Sequence, residues 1–383
     1  MKCIPRLPIV CCLLVVISLT EGCNKDEYIP ITTTFYNSYS GSGDLTGRAI
    51  VNNGNGFTVC GYGHNPIGDE DFILLQTDSL GTEINRRFVG TPGNDQCWSF
   101  VRANDGGYVI SGWTDMNDPG VSNDILVIKT DQDGNQVWSK IYGGIYNDLS
   151  THIIATTNGY VVSAIKGNAA DENSWILRLD ENGDTLWTFS YGGNSPDGAM
   201  SICTNNDGTF AVTGYTNSSG NGSTDGYLMV LSDSGTLINY WPFGTQDYEE
   251  PHCIEQVGNR WVISGHAGTT DFHTHDVFVQ FFNSNGSSEN FLTYGDHDHY
   301  GAEAMMIHAG TIYIAARSAS VDPLQDPYFL MLNENGELLN QQWLGSSNED
   351  PAFGIYADGN QQILTGYARD PITGRKNLLL LRR

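Results

Sequence analysis

The chain has 383 residues and a formal net charge of −26, with 18 Lys+Arg against 44 Asp+Glu. Such a balance excludes a nucleic-acid partner, because binding phosphates requires a basic surface. Glycine is abundant at 45 residues and aromatics make up 11%, whereas charged residues make up only 16%; this suits many short strands joined by tight turns.

Residues 1–22 read as an export signal. Lys2 and Arg6 give a basic start, and Ile9 to Leu19 form an apolar run too short to span a bilayer. The run ends in Leu19-Thr20-Glu21-Gly22-Cys23. A small residue followed by Cys resembles the lipobox of bacterial lipoproteins, although Glu21 is unusual there and the aliphatic residue stands one place early. The resemblance implies that Cys23 is lipidated and becomes the mature N-terminus. Residues 23–31 then form a tether, whose Asn24-Lys25-Asp26-Glu27 is similar to the acidic export tag of some outer-surface lipoproteins. An ordinary cleaved signal peptide is the alternative. Either way the mature domain is expected outside the cytoplasm, at the outer membrane or cell surface, meeting the membrane through its anchor only. Beyond the leader lie Cys60, Cys97, Cys203 and Cys253. An oxidising compartment permits disulfides, and the absence of CxxC argues against a zinc knuckle. Buried thiols and one or two bridges are both open.

From residue 32 to residue 383 the chain repeats. Segments like Tyr108-Val109-Ile110-Ser111-Gly112 begin at Phe57, Tyr108, Tyr160, Phe210, Trp261, Ile312 and Gln362, in steps of 51, 52, 50, 51, 51 and 50. Four positions after each anchor stands a small residue: Gly61, Gly112, Ala164, Gly214, Gly265, Ala316 and Gly366. The second copy shows four strand-like runs: Ser99 to Ala103 (A), Tyr108 to Gly112 (B), Ile125 to Thr130 (C) and Gln136 to Tyr142 (D). They are rich in Val, Ile and aromatics, which fit a pleated, buried surface. Between C and D a glycine recurs, as in Gly134 and Gly183, where a hairpin requires positive φ. Four antiparallel strands in about fifty residues describe a propeller blade, and no stretch has the 3.6-residue period of a helix. The last copy stops at its strand C, Leu378 to Arg383, and Thr33 to Gly41 has the pattern of a strand D. The N-terminal strand should therefore complete the last blade and close the ring. The expected fold is an all-β, seven-bladed propeller.

The runs GGYVISG, DILVIKTDQDG and VWSKIYGG resemble the propeller repeats of secreted proteins and lipoproteins of diderm bacteria. The resemblance spans roughly Thr33 to Arg383. It is specific for fold and weak for function, because propellers host binding, scaffolding and catalysis alike.

In such a ring the B–C and D–A loops share one face, and here the B–C loops are the longer and more varied, so that face is the expected binding surface. Asp131-Gln132-Asp133-Gly134 and Asp180-Glu181-Asn182-Gly183 faintly resemble calcium loops, but Asp and Asn favour tight turns in any case. A carboxylate column opens the D–A loops at Asp95, Asp148, Asp197, Glu249 and Asp350; a structural bond to nearby backbone is expected, a ring holding a cation the alternative. The residue after the small column is often aromatic: Tyr62, Trp113, Tyr215 and Tyr367. These either stack on a bound sugar or pack between blades.

Histidines break the repeat around blade five. His252 is expected in the loop entering it, His266 replaces the aromatic, His273 and His275 stand in the B–C loop, and His297 and His299 in the D–A loop. Tyr300 takes a carboxylate's place, and Arg317 follows in blade six. His273, His275, His297 and His299 are candidate ligands for a divalent metal such as zinc or copper. By analogy with propeller-shaped polysaccharide lyases, His273 or His297 would be the base, Tyr300 the acid and Arg317 the neutraliser of a uronate carboxylate. Solvated loop polarity is the plain alternative. The chain holds no GxSxG, HExxH, phosphate-cradling or dinucleotide motif. The leading expectation is a non-catalytic binding or scaffold module for a glycan or protein ligand, with a polysaccharide lyase or a metal-binding protein as alternatives.

Overall fold

The computed structural model describes residues 35–117, 121–168, 171–268, 275–295, 300–319, 325–344 and 349–383. Every regular element there is a strand, and 28 strands form seven four-stranded antiparallel sheets. After β1 (Phe35–Tyr39), blade one holds β2 (Leu45–Asn52), β3 (Gly56–His64), β4 (Glu70–Asp78) and β5 (Glu83–Val89). Blade two holds β6 (Asp95–Arg102), β7 (Tyr108–Thr114), β8 (Asp124–Thr130) and β9 (Gln136–Tyr142); blade three holds β10 (Asn147–Thr156), β11 (Gly159–Asn168), β12 (Asp171–Leu179) and β13 (Thr185–Tyr191). Blade four holds β14 (Asp197–Thr204), β15 (Phe210–Thr216), β16 (Asp225–Leu231) and β17 (Leu237–Phe243); blade five holds β18 (Tyr248–Val257), β19 (Arg260–Gly268), β20 (His275–Phe282) and β21 (Ser288–Tyr294). Blade six holds β22 (Tyr300–His308), β23 (Thr311–Ala319), β24 (Gln325–Leu332) and β25 (Leu338–Trp343). Blade seven is β26 (Ala352–Ala357), β27 (Gln362–Arg369) and β28 (Lys376–Arg382), completed by β1.

The expected closure is present: Phe35 pairs with Arg382 and Tyr39 with Leu378. The innermost strands meet around the axis, from β2 through β6, β10, β14, β18 and β22 to β26 and back to β2. A single blade cannot bury both of its faces, so the apolar core is divided into wedges between consecutive blades. Val59 and Ile73 of blade one, for instance, pack on Leu378 and Leu380 of blade seven and on Tyr39. Each such side chain removed from water contributes about 1.5–3 kcal/mol.

The C–D turns are built as their residue types suggest. Gly134 has φ +80° and donates its N–H to the carbonyl of Asp131, a geometry that costs glycine nothing. Asp131 Oδ1 accepts the backbone N–H groups of Asp133 and Asn135, and Asp180 Oδ1 those of Asn182 and Asp184. These carboxylates are turn-builders.

The innermost strand begins earlier than its sequence suggests: in blade two it starts at Asp95. The reason is a β-bulge in every blade. In β6 the register steps from Cys97, opposite Gly112, to Ser99, opposite Ser111, leaving Trp98 unpaired. An extra residue inverts the inside–outside alternation, so the first half of the strand is out of phase with the second. The bulge also explains the small column. A Cβ on Gly112 would lie 2.0 Å from the carbonyl oxygen of Gln96, and one on Gly61 would lie 1.8 Å from that of Thr46.

Candidate functional site

The bulged residues are Arg48, Trp98, Thr151, Met200, His252, Glu303 and Phe353, one per blade. All seven line one central channel of about 460 Å³. Each stands near the start of its innermost strand, so they ring the mouth on the face of the D–A and B–C loops. Fold alone requires a bulge here but no particular side chain, and the seven are chemically unlike. The Arg48 guanidinium lies between two rings, 4.1 Å from the centroid of Trp98 and 4.6 Å from that of Phe353. Trp98 is 40% exposed, large for an aromatic side chain in a well-packed ring. In blade six, beside Phe353 of blade seven, Glu303 Oε1 sits 2.7 Å from Arg317 Nε.

Below the mouth the next residues stitch blades together. The hydroxyl of Ser99 accepts the N–H of Ile153, Nδ1 of His152 accepts that of Ile202, and the hydroxyl of Ser201 accepts that of Ile254. Burial pulls the His152 imidazole down to about 4, so it serves as a neutral acceptor. Deeper still, Glu255 is a lone carboxyl at a level where other blades carry Val51, Cys203, Met306 and Tyr356. Burial pushes it up to about 7.

Blade five contributes a cluster beside the mouth. Glu250 and His266 are cross-strand partners, and His252 is the bulged residue two places after Glu250. His252 Nε2 lies 3.4 Å from Glu250 Oε1, and His266 Nε2 lies 3.5 Å from Glu250 Oε2. The Tyr248 hydroxyl donates to Glu250 Oε2, and the Tyr248 ring stacks on those of His266 and His275 at 5.6 and 5.4 Å. Burial disfavours the Glu250 charge, but the two imidazoles outweigh it and hold the carboxyl well below its usual range. For His252 burial opposes the charge, and Glu250 turns the balance upward; for His266 burial prevails and lowers it.

The structure thus places the sequence candidates as follows. His252 is on strand β18, not in a loop, and His275 is the first residue of β20 rather than a B–C loop residue. The two meet His266 in the cluster, with ring centroids of His252 and His266 4.9 Å apart and of His266 and His275 5.2 Å apart. Cys23 with the whole leader and tether, and likewise His273, His297 and His299, lie outside the described residues; Tyr300 opens β22. Arg317 is taken up by the chain's own Glu303, where the lyase analogy needs it for a uronate. Of the aromatic column, Tyr367 is buried and its hydroxyl meets Glu349, Tyr215 donates to Glu172 at 3.0 Å, and Tyr62 and Trp113 are half-buried; Tyr215 bridges to blade three. Three of the D–A carboxylates bond backbone, as expected. Asp95 accepts the N–H of Thr91, Asp197 that of Gly193 and Glu249 that of Thr245. Burial pushes Asp95 and Asp148 up to about 6.

Sequence reasoning missed Arg48, Trp98, Thr151, Met200, Glu303 and Phe353, and it missed Glu250 as the partner of the two histidines. A usable signal exists: each bulged residue stands thirteen or fourteen positions before the small residue of its own copy.

No protein-family model matches the chain, and no curated protein sequence does. Among solved structures, Sqt1 from Chaetomium thermophilum is 13% identical, with a TM-score of 0.51 over 88% of this chain and 84% of that one. YCF48 bound to D1 peptide is 11% identical, with a TM-score of 0.52 over 91% and 94%. At such identities the likeness concerns the fold.

Proposed function

We propose that this propeller is an extracytoplasmic binding module, held at the membrane by a lipid on Cys23, that takes a segment of a protein partner into the mouth of its central channel. The ring of bulged residues carries this reading. Seven equivalent positions that could all be alike instead present an exposed Trp, an Arg sandwiched between aromatics, a Met, a Phe, a Thr, a His and a Glu. Aromatic residues, Met and Arg are the side chains enriched in the cores of protein interfaces, and Trp and Arg dominate their hot spots. A glycan would be expected to meet several exposed rings in series, whereas in the aromatic column Tyr367 is buried, Tyr215 is tied to Glu172, and Tyr62 and Trp113 are half-buried. The repeat's resemblance to propeller lipoproteins, and the acidic surface that keeps such a chain off nucleic acid, agree with this placement.

The test is to probe a peptide array and a glycan array with the full chain and to titrate each hit by calorimetry. Trp98→Ala and Arg48→Ala should each weaken a peptide hit by about 30-fold, the size of a hot-spot loss of about 2 kcal/mol. Arg260→Ala, on β19 away from the mouth, should leave it unchanged. Equal affinity in all three variants would refute the assignment of the mouth, and hits confined to glycans would replace the proposed ligand class.

A further inference from the structure

We infer that Glu250, His252 and His266 form a binding site for one late first-row divalent cation, zinc in the first instance, in the wall of the channel mouth. The ligand atoms, one from each residue, all lie within 4.8 Å of one another. The contacts of Glu250 Oε1 with His252 Nε2, 3.4 Å, and of Glu250 Oε2 with His266 Nε2, 3.5 Å, are long for charge-assisted hydrogen bonds, which close to about 2.7–2.9 Å. Each leaves the spacing of two ligand atoms around one ion: with bonds of about 2.0–2.1 Å, neighbouring ligand atoms of a zinc tetrahedron stand about 3.3–3.4 Å apart, so each imidazole already faces a carboxylate oxygen at ligand separation, and a small turn of the Glu250 carboxylate brings one oxygen to both. A second observation points the same way. His252 Nε2 is shut away from solvent without making a hydrogen bond of good geometry, which is costly for a buried polar atom and is relieved when its lone pair meets a cation.

The surroundings supply what such a site requires. Two imidazoles and a carboxylate are a donor set that suits zinc and its neighbours rather than calcium or magnesium. The Tyr248 hydroxyl bonds Glu250 Oε2 and fixes its orientation, the kind of outer partner that holds a ligand in place. Gly301 of blade six stands against His266, where even a Cβ would approach Nδ1 to 3.6 Å. Three protein ligands leave a fourth position for water or a ligand atom, and His252 lines the channel. The site does not depend on the proposed peptide partner, and its test requires none.

The full chain, purified without a polyhistidine tag, should retain about one equivalent of zinc after dialysis against metal-free buffer, as read by elemental analysis. Cobalt(II) should replace it and give the intense visible absorption of a tetrahedral site. His252→Ala and His266→Ala should each lower zinc affinity by more than the roughly 10–100-fold that loss of an outer partner costs, and Tyr248→Phe by about tenfold. His308→Ala, an exposed histidine on β22, should have no effect. Because a buried histidine variant can misfold, each is compared by circular dichroism, and Glu250→Gln supplies a near-isosteric ligand loss. The inference is overturned if the chain holds far less than one equivalent, or if folded Glu250→Gln, His252→Ala and His266→Ala bind zinc like the parent. It also falls if substituting His273, His297 and His299 abolishes binding that these three variants retain.

Discussion

Two side-chain arrangements away from the cluster have measurable consequences. The Sγ atoms of Cys60 on β3 and Cys97 on β6 lie 2.8 Å apart, close to the roughly 2.05 Å of a disulfide, and both are buried. Exchange with a small-molecule disulfide should join blade one to blade two here, each thiol losing its hydrogen as the oxidant is reduced. A non-reducing peptide map should then show Cys60 linked to Cys97. Cys203 and Cys253 belong to different wedges of the core and should stay reduced. The link should add on the order of 2–4 kcal/mol of stability; finding all four as thiols after oxidation would contradict this. Glu255 gives a pH signature. The folded chain keeps its proton to about pH 7, against an ordinary value of 4.5, so between these values the folded state binds more protons than the unfolded one. Its contribution to stability is therefore whole near pH 4 and lost as pH rises through 7. The thiols of Cys203 and Cys253 sense this carboxyl, and His152, His252 and Glu303 share its channel; His152 acts oppositely, losing stability as pH falls from 6.5 toward 4. Glu255→Gln should leave stability at pH 5 nearly unchanged and raise it at pH 8 by on the order of 1–2 kcal/mol in denaturant titrations.

The strand is where sequence and structure part company. The outer strand β9 has the bounds its alternation predicts, Gln136 to Tyr142, whereas β6 starts four residues before the expected Ser99. An alternation rule cannot see across a bulge, because Trp98 and Ser99 fall in the same phase only if one of them is unpaired. The site was missed for the same reason: its residues look like irregular loop before a strand. Histidines, being rare, stood out in sequence, yet Glu250 did not, since its role comes from pairing with His266 across a ladder 16 residues apart. The small column was legible, but its cause was not. If the bulge imposes it, Gly112→Ala should destabilise blade two by roughly 1–3 kcal/mol, as overpacking does, without altering residues at the mouth of other blades. Ala164 and Ala316 occupy the same column in blades three and six, so the cost is expected to be moderate. A thermal melt unchanged by Gly112→Ala would refute the explanation.

At the scale of the whole ring, closure rests on five residue pairs between β1 and β28 and on the wedge beneath them. Phe35 and Tyr39 pack there with Leu378 and Leu380, and Arg382 donates to the carbonyl of Ser79. A chain that begins at residue 41 should leave a leucine-rich edge bare and a gap in the circle. It should melt at lower temperature and aggregate, because unpaired edges recruit other chains; a melt equal to the parent's would show that β1 is dispensable. The fold was legible at this scale because seven copies agree and because the missing strand at one end is found at the other.

The direction of β1 has a mechanical consequence. Phe35 pairs with Arg382 beside the C–D turns, while Tyr39 lies toward the loop-rich face, so the chain enters the ring on the side opposite the mouth. On the proposed function, tension drawn from the N-terminal side against a ligand held at the mouth would run along the strand axis. All the rungs of the β1–β28 ladder then share the load in shear, and the seam does not unzip rung by rung.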